Sequence, residues 1–149
     1  MEYTYRAFDQ LSVHQLYDLL QLRNEVFVIE QDCIYQDADG KDKQSFHLLA
    51  HMEDELVAYC RIVPEGISYE GYCSIGRVVN SKNHRGQGIG VALMKKAIEI
   101  CQRQFEHPIK LSGQCYLEKF YKDLGFEVVS EQYLEDDIPH YAMVYRFEA

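Results

Sequence analysis

A run of glycines stands where a strand-like segment gives way to a helical one, within RVVNSKNHRGQGIGVALMKKA (residues 77–97). Three glycines alternate there with two other residues: Gly86, Gln87, Gly88, Ile89 and Gly90. Glycine weakens a helix interior by about 1 kcal/mol relative to alanine, so its use here needs another reason. The start of a helix has unpaired N–H groups and the positive end of the peptide dipole. Glycine lets phosphate oxygens approach these groups, and Arg85 adds a positive charge, so the stretch predicts a diphosphate site.

Two better-known phosphate motifs do not fit this spacing. A Walker A loop requires a lysine directly after its last glycine, and Val91 follows Gly90 here. A dinucleotide fingerprint requires G-x-G-x-x-G, whereas these three glycines are two residues apart throughout. The remaining alternative is a glycine-rich turn that only tightens the corner between strand and helix.

The apolar periodicity predicts a single-domain α/β (α+β) fold over residues 1–149, with about six to seven strands in a mixed twisted sheet flanked by helices. The predicted order is β-α-β-β-β-α-β-α-β-β. The predicted strands are 3–8, 45–52, 55–64, 71–80, 107–114, 126–135 and 140–147. The first helix begins at a capping box of Ser12 and Gln15. The second shows one apolar face at Ile89, Leu93, Ala97 and Ile100. The third covers 116–124 and ends at Gly125.

Charge and hydropathy narrow the classes of partner. A net charge of −9 argues against nucleic acid, whose phosphates would be repelled, and suits a cationic small substrate. The sequence has no run of about 18 apolar residues, so we expect no membrane span. The acidic, aromatic start MEYTYRAFDQ differs from a secretory signal, which predicts a cytoplasmic protein.

The cysteines, histidines and acidic runs do not form a metal-binding pattern. Five cysteines are scattered without a C-x-x-C pair, which favours reduced core thiols over disulfides or zinc ligands. His47 and His51 fall on a predicted strand, where residues four apart are separated by about 13 Å. The run DADGKD lacks the spacing of a calcium loop and predicts a surface turn. We therefore expect no metal.

Two motifs resemble signatures of the GNAT N-acetyltransferase superfamily. Residues 85–90, RGQGIG, resemble its R/Q-x-x-G-x-G/A signature. QCYLEKFYKDLGF resembles N-x-x-x-x-x-x-Y-x-x-x-G-F, in which Tyr121, Gly125 and Phe126 match and Gln114 replaces the usual asparagine. The order of predicted elements is also similar over nearly the whole chain. RNEVFVIEQDCIYQDADGKD, GRVVN and YLEDDIPHYAM further resemble the ElaA-like branch of this superfamily.

The resemblance implies a cofactor site. Members of the family move an acetyl group from acetyl-CoA directly to an amine, without a covalent enzyme intermediate. Residues 85–90 would then hold the CoA diphosphate. The backbone of Arg77, Val78 and Val79 would pair with the pantetheine arm, in a strand that the family bends with a bulge. The N–H near Val79 would polarise the thioester carbonyl. Gln114 and Phe120, from the second signature, are expected beside the cofactor.

The resemblance also assigns a proton donor. Tyr121 matches the general acid that protonates the departing CoA sulfur. The alternative for this residue is a core tyrosine packed beside Phe120.

The attacking amine must lose a proton, so a base is also required. The candidates are Glu30, Glu135, Asp136, Asp137 and His140. Of these, His140 is the residue to replace first.

Several functional alternatives stay open at the level of sequence. The acceptor is a small amine or a protein amine, shaped by residues 23–44 and 130–140. The donor is acetyl-CoA or another acyl-CoA. A non-catalytic CoA-binding regulatory module is the alternative from another class, and Tyr121 favours the enzyme. Dimers are common in the family, and the sequence leaves open whether this chain forms a homodimer.

Overall fold

The computed structural model describes residues 1–147, which form both strands and helices. The strands are β1 (Glu2–Ala7), β2 (Phe46–Met52), β3 (Glu55–Val63), β4 (Ser74–Asn80), β5 (Ile109–Gln114), β6 (Glu127–Val128), β7 (Tyr133–Glu135) and β8 (Ile138–Tyr145). The α-helices are α1 (Val13–Arg23), α2 (Ile89–Gln104) and α3 (Glu118–Leu124). Short 3₁₀ turns occupy Phe8–Gln10, Lys41–Gln44, Lys82–His84 and Cys115–Leu117.

The strands form two antiparallel sheets that meet at one point. One sheet has the order β1-β2-β3-β4, and the other has the order β5-β8-β6, with β7 also paired to β8. A parallel bridge between Cys73 and Ile109 joins the two sheets. The α/β fold class and the element order are confirmed, except near the end of the chain.

The predicted strand 126–135 is divided into β6 and β7. The N–H of Ala142 on β8 donates to the Ser130 hydroxyl at 2.9 Å instead of to a backbone carbonyl. The Val129 N–H donates to the Ala142 carbonyl at 2.9 Å, so pairing ends at this point and resumes at Tyr133. The Ser130 hydroxyl has replaced a backbone carbonyl as the partner of this N–H. Hydropathy alone does not reveal such a replacement.

Helix α1 begins as predicted and continues into a wider helical turn. The Ser12 hydroxyl accepts the Gln15 N–H at 3.0 Å, and the Gln15 side chain accepts the Ser12 N–H at 2.9 Å. This capping box is confirmed. After Arg23 the chain forms a π-helix over Asn24–Glu30, with the Gln31 N–H bonded to the Val26 carbonyl. Such segments are rare and are frequently found at functional sites.

The β2–β4 sheet lies between α1 and α2. Neighbouring residues of β2 and β3 alternate between two apolar clusters: Leu48, Ala58 and Cys60 on one side, and Leu49 and Tyr59 on the other. The α2 residues Ile89, Leu93 and Ala97 are buried in the first cluster, as predicted. Leu19 and Leu22 of α1 belong to the second. The two helices therefore cover opposite faces of the sheet.

The predicted surface turn at DADGKD is wrong for Asp42, which is only 7% exposed. Its carboxylate accepts hydrogen bonds from the buried arginines Arg23 and Arg61 at 2.8 and 3.0 Å. Asp37 and Asp39 belong to the same ion-pair network. The arginines that pair with this acidic run are distant in sequence, in α1, β3 and β4. The run alone therefore resembles a solvated surface turn.

The structure also bears on the predictions for the histidines, the cysteines, a metal site and a membrane span. His47 is fully buried and hydrogen-bonded through both ring nitrogens, to Tyr59 and to the Asp42 carbonyl. All five cysteines are free thiols. Among residues 1–147, no group of three His, Cys, Asp or Glu side chains is arranged to hold a metal ion. None of the helices in that range has the length and apolarity needed to cross a bilayer.

Candidate active site

A cleft opens where β4 and β5 separate. Near the start of the two strands, the Lys110 N–H donates to the Cys73 carbonyl at 2.9 Å. Beyond this point, within residues 1–147, β4 pairs only with β3, and β5 pairs only with β8. A cavity of about 590 Å³ lies between them, lined by residues of both strands. Small-molecule sites in proteins typically measure about 300–1,000 Å³, so the cleft is large enough for a substrate.

A β-bulge shapes the β4 wall of this cleft. Tyr59 is opposite Val79 and Arg61 is opposite Gly76, so Arg77 and Val78 together face the single residue Cys60. Arg77 has a φ of +50°, in the left-handed region that non-glycine residues seldom adopt. A bulge bends its strand and increases the local twist. The expected bulge in this strand is confirmed.

The glycine loop leads into α2 at one end of the cleft. Gly86 and Gly88 have φ values of +79° and +76°, so both positions need glycine for conformational reasons. Gly88 is the N-cap of α2 and no side chain caps the helix. The first intrahelical bond runs from the Ala92 N–H to the Gly88 carbonyl. The amides of residues 89–91 therefore lack intrahelical partners.

The space beside these amides is open. A Cβ atom added at Gly86 or Gly88 would meet nothing within 4 Å, and one at Gly90 would touch only the Phe120 ring at 3.8 Å. All three glycines line the cleft. A helix start with free amides and no capping side chain is a suitable site for an anion, so the residues present fit a phosphate group.

Arg85 is held by Glu30. The guanidinium donates two hydrogen bonds to the Glu30 carboxylate, at 2.6 and 2.8 Å, and both residues line the cleft. These bonds and the charge of Arg85 keep the pKa of Glu30 below its usual value. A carboxylate with a lowered pKa is a weaker base, so the geometry argues for an electrostatic role of Glu30 rather than for proton abstraction.

Tyr121 is enclosed by aromatic rings and by a glycine. Its ring packs edge-on against Phe120 and Phe126, with centroids 5.1 and 5.9 Å away. A Cβ atom at Gly113 of β5 would lie 2.9 Å from the Tyr121 ring, so that glycine leaves room for it. Burial raises the pKa of Tyr121 well above its usual value. The residue lines the cleft as a neutral phenol, the state that can donate a proton.

His140 forms a polar group with Glu135 beside the end of β5. The residue is only 6% exposed and pairs with Gln114 across β5 and β8. Its Nδ1 donates to the Ile138 carbonyl at 2.6 Å, so in the neutral ring the lone pair is on Nε2. A Glu135 carboxylate oxygen lies 3.4 Å from Nε2, where it would stabilise a proton gained there.

Most of the residues predicted from sequence meet in this one cleft. Those that line it are Glu30, Arg77, Val78, Val79, Arg85, Gly86, Gly88, Gly90, Gln114, Phe120, Tyr121, Glu135, Asp136 and His140. Gln87 and Ile89 do not line it. The Ile89 side chain is buried in the core, so only the backbone of this residue is available to a ligand, whereas Gln87 is exposed outside the lining. Asp137 also lies outside the lining, in the turn between β7 and β8.

The sequence did not identify several lining residues: Phe27, Tyr35, Ile75, Ser112, Tyr116 and Leu117. Phe27 comes from the π-helix, and Tyr35 comes from the loop that follows it. Both lie within residues 23–44, the segment predicted to shape the acceptor site, but no spacing signal singles out either side chain.

Comparisons with known proteins agree with this architecture. A family model described as an acetyltransferase (GNAT) domain matches residues 9–147. Protein ElaA of Escherichia coli K12 is 47% identical over 137 residues, covering 90% of this chain and 89% of ElaA. The crystal structure of an acyl-CoA N-acyltransferase from Pseudomonas aeruginosa has a TM-score of 0.91 at 42% identity, covering 98% of this chain and 100% of that one. An aminoglycoside 6′-N-acetyltransferase complexed with coenzyme A shares the fold, with a TM-score of 0.71 at 18% identity, covering 97% and 96% of the two chains.

Proposed function

The chain belongs to the GNAT acetyltransferase family, and on this basis we propose that it transfers the acetyl group of acetyl-CoA to a primary amine. Transfer is direct, with donor and acceptor bound together in the cleft. One observation carries the proposal: the uncapped start of α2 and the neutral phenol of Tyr121 line the same cleft between β4 and β5. Acetyl-CoA would supply the acetyl group: the amine nitrogen forms the new bond to the carbonyl carbon, the thioester C–S bond breaks, and CoA departs as the thiolate.

The glycine loop and β4 would bind the donor. Amides of residues 89–91 and the Arg85 guanidinium are the groups for the diphosphate. The backbone of residues 77–79, exposed to the cleft by the bulge, is the partner for the pantetheine arm. A backbone N–H near Val79 would hydrogen-bond the thioester oxygen and stabilise negative charge that develops there.

Tyr121 would act on the departing sulfur. Tyr121 lines the cleft, where its hydroxyl can donate to a ligand. Because burial raises its pKa, the phenol keeps its proton throughout the neutral range. The thiolate would take this proton, or be stabilised by a hydrogen bond from it.

His140 is the base that the geometry favours. Its Nε2 lone pair is free in the neutral ring, and Glu135 would stabilise the imidazolium after Nε2 accepts a proton from the amine. Glu30 is less suited, since Arg85 lowers its pKa. The carboxylates of Glu135 and Asp136 line this part of the cleft, which supports a cationic amine as the acceptor.

Thiol release tests the proposal. Purified protein is mixed with acetyl-CoA and with polyamines, amino acids or peptides carrying a free amine, and the liberated CoA is followed with a thiol reagent. We expect release that depends on the amine for at least one acceptor class. CoA binding without release for any acceptor would support a non-catalytic module instead. Propionyl-CoA and longer donors in the same assay identify the acyl preference.

A further inference from the structure

Asp37 accepts hydrogen bonds from two arginines at once, through both its carboxylate and its backbone. Arg23 donates from Nε to Oδ2 at 2.8 Å and from Nη2 to the backbone carbonyl at 3.1 Å. Arg77 donates from Nε to Oδ1 at 2.8 Å and from Nη2 to the same carbonyl at 3.0 Å. Asp37 therefore links the end of α1 to the β4 bulge through four bonds.

The anchor on the α1 side is a buried charge. The Arg23 side chain is fully buried, and it also donates to Asp42 at 2.8 Å. Arg61 pairs with Asp39 and Asp42, both at distances of 3.0 Å or less. Three arginines and three aspartates thus balance one another under the 37–42 loop. A buried charge with several partners restricts its partners to one arrangement.

The other side of the link is a strained residue in the cleft wall. Arg77 has a φ of +50°, a conformation that its Cβ disfavours. Its guanidinium also lies over the ring of Tyr35, 5.8 Å from the centroid, and the Tyr35 hydroxyl donates to Asp37 Oδ1 at 3.2 Å. Arg77 and Tyr35 both line the cleft, whereas Asp37 does not. The side-chain hydrogen bonds of Arg77 therefore favour a backbone conformation that the residue would otherwise disfavour.

We propose that Asp37 is a positioning residue that, through Arg77, holds the β4 bulge in the shape that admits acyl-CoA. This inference rests on the proposed function, because it concerns the same cleft. The left-handed backbone at Arg77 opens the wall, and the pair with Asp37 offsets its conformational cost. Loss of the pair lets β4 relax toward regular pairing with β3, which withdraws the backbone of residues 77–79 from the ligand.

Two substitutions at one position separate the backbone effect from the loss of charge. Arg77→Met and Arg77→Gly both remove the ion pairs and the contact with Tyr35. Only glycine adopts a φ of +50° without a steric penalty. We expect calorimetry with CoA to show Kd raised at least fivefold by Arg77→Met and raised clearly less by Arg77→Gly. Equal Kd values for the two variants would overturn the positioning role. No CoA binding by the unsubstituted protein would instead overturn the proposed function.

Asp37→Asn tests the residue itself, with Asp42→Asn as the matched control. Both replace a carboxylate of the same network with an amide of similar size, but Asp42 makes no bond to Arg77. At a temperature where both variants are folded by circular dichroism, we expect at least a fivefold rise in Kd for Asp37→Asn. Asp42→Asn should stay within twofold. A similar Kd for the two would mean that Asp37 serves stability alone. If Asp37→Asn does not fold, the two Arg77 variants decide the question.

Discussion

The Glu30 carboxylate accepts both hydrogen bonds that the Arg85 guanidinium offers it, at 2.6 and 2.8 Å, and joins the π-helix to the glycine loop. The two residues are 55 positions apart and both line the cleft. A carboxylate and a phosphate are alternative partners for one guanidinium. A bound diphosphate would therefore compete with Glu30 for Arg85.

Glu30→Gln distinguishes this competition from a role as base. Removing the charge frees Arg85, so we expect CoA to bind about threefold to fivefold more tightly, as for a partly exposed pair worth up to about 1 kcal/mol. The value of kcat should stay within about threefold. Calorimetry and thiol release provide the two numbers. A fall in kcat of a hundredfold, with unchanged CoA affinity, would restore Glu30 as the base.

Tyr121→Phe should separate catalysis from binding. The phenylalanine ring keeps the edge-on packing with Phe120 and Phe126 and removes only the proton donor. We expect kcat to fall by about 10²–10⁴, the usual contribution of a general acid, with CoA affinity within twofold. Steady-state thiol release gives the rate, and calorimetry gives the affinity. An unchanged kcat would reduce Tyr121 to a core residue.

Gly113→Ala should displace the Tyr121 ring through a steric clash. The added methyl would lie 2.9 Å from the Tyr121 ring, closer than real contacts allow, and 3.1 Å from the end of the Met143 side chain. Overpacking of this kind destabilises a protein by about 1–3 kcal/mol. We expect a loss of that size in the free energy of unfolding, measured with urea, and a lower kcat because the phenol moves.

Gly76→Ala is the control for that measurement. It is also a strand glycine, but a Cβ atom there meets nothing within 4 Å. Its free energy of unfolding should be equal to that of the unsubstituted protein or higher. An equal loss of stability in both variants would show that the Tyr121 contact is not the cause.

The stability of the protein should fall as the pH decreases below 6.5. Burial lowers the pKa of His47 below its ordinary value of 6.5, so the folded state takes up this proton less readily than the unfolded chain. The stabilisation that comes from keeping the buried His47 ring neutral is therefore complete above pH 6.5. It is lost as the pH falls toward the pKa of His47 in the folded state. The slope is at most about 1.4 kcal/mol per pH unit for one proton.

Urea unfolding between pH 7.5 and 5 measures this slope. His47→Gln should flatten it, while His14→Gln, at an exposed position on α1, should leave it unchanged. An equally steep slope in His47→Gln would contradict the assignment.

A second decline in the free energy of unfolding is expected below about pH 4. Burial alone would raise the pKa of Asp39, but its bonds to Arg61 outweigh this and lower it to about 2.

The parts of the structure that follow from local chemistry could be predicted from the sequence. A capping box needs only Ser12 and Gln15, three residues apart, and the glycine loop needs only the strand and helix on either side. The position of Tyr121 within the second signature predicts a place beside the cofactor, and Tyr121 lines the cleft. In each case neighbouring residues contain the whole signal.

The parts that join distant segments could not be predicted. Asp37 looked solvated because nothing near it in sequence reveals Arg77, which is 40 positions away. The interruption between β6 and β7 depends on one hydroxyl meeting the N–H of Ala142, and hydropathy carries no information on such a bond. Periodicity describes which face is buried, whereas these features depend on which side chains meet.

Calorimetric titration of CoA into the unsubstituted protein and into Gly90→Val tests the central claim, that free amides at the start of α2 bind the diphosphate. Gly90 is the position to use, because its backbone needs no left-handed conformation and a Cβ atom there makes only an ordinary contact with Phe120. We predict that CoA binds the unsubstituted protein. We also predict that Gly90→Val binds it at least tenfold more weakly, a difference of about 1.4 kcal/mol, with a similar melting temperature. Absence of CoA binding by the unsubstituted protein, or equal binding by the two, would contradict the claim.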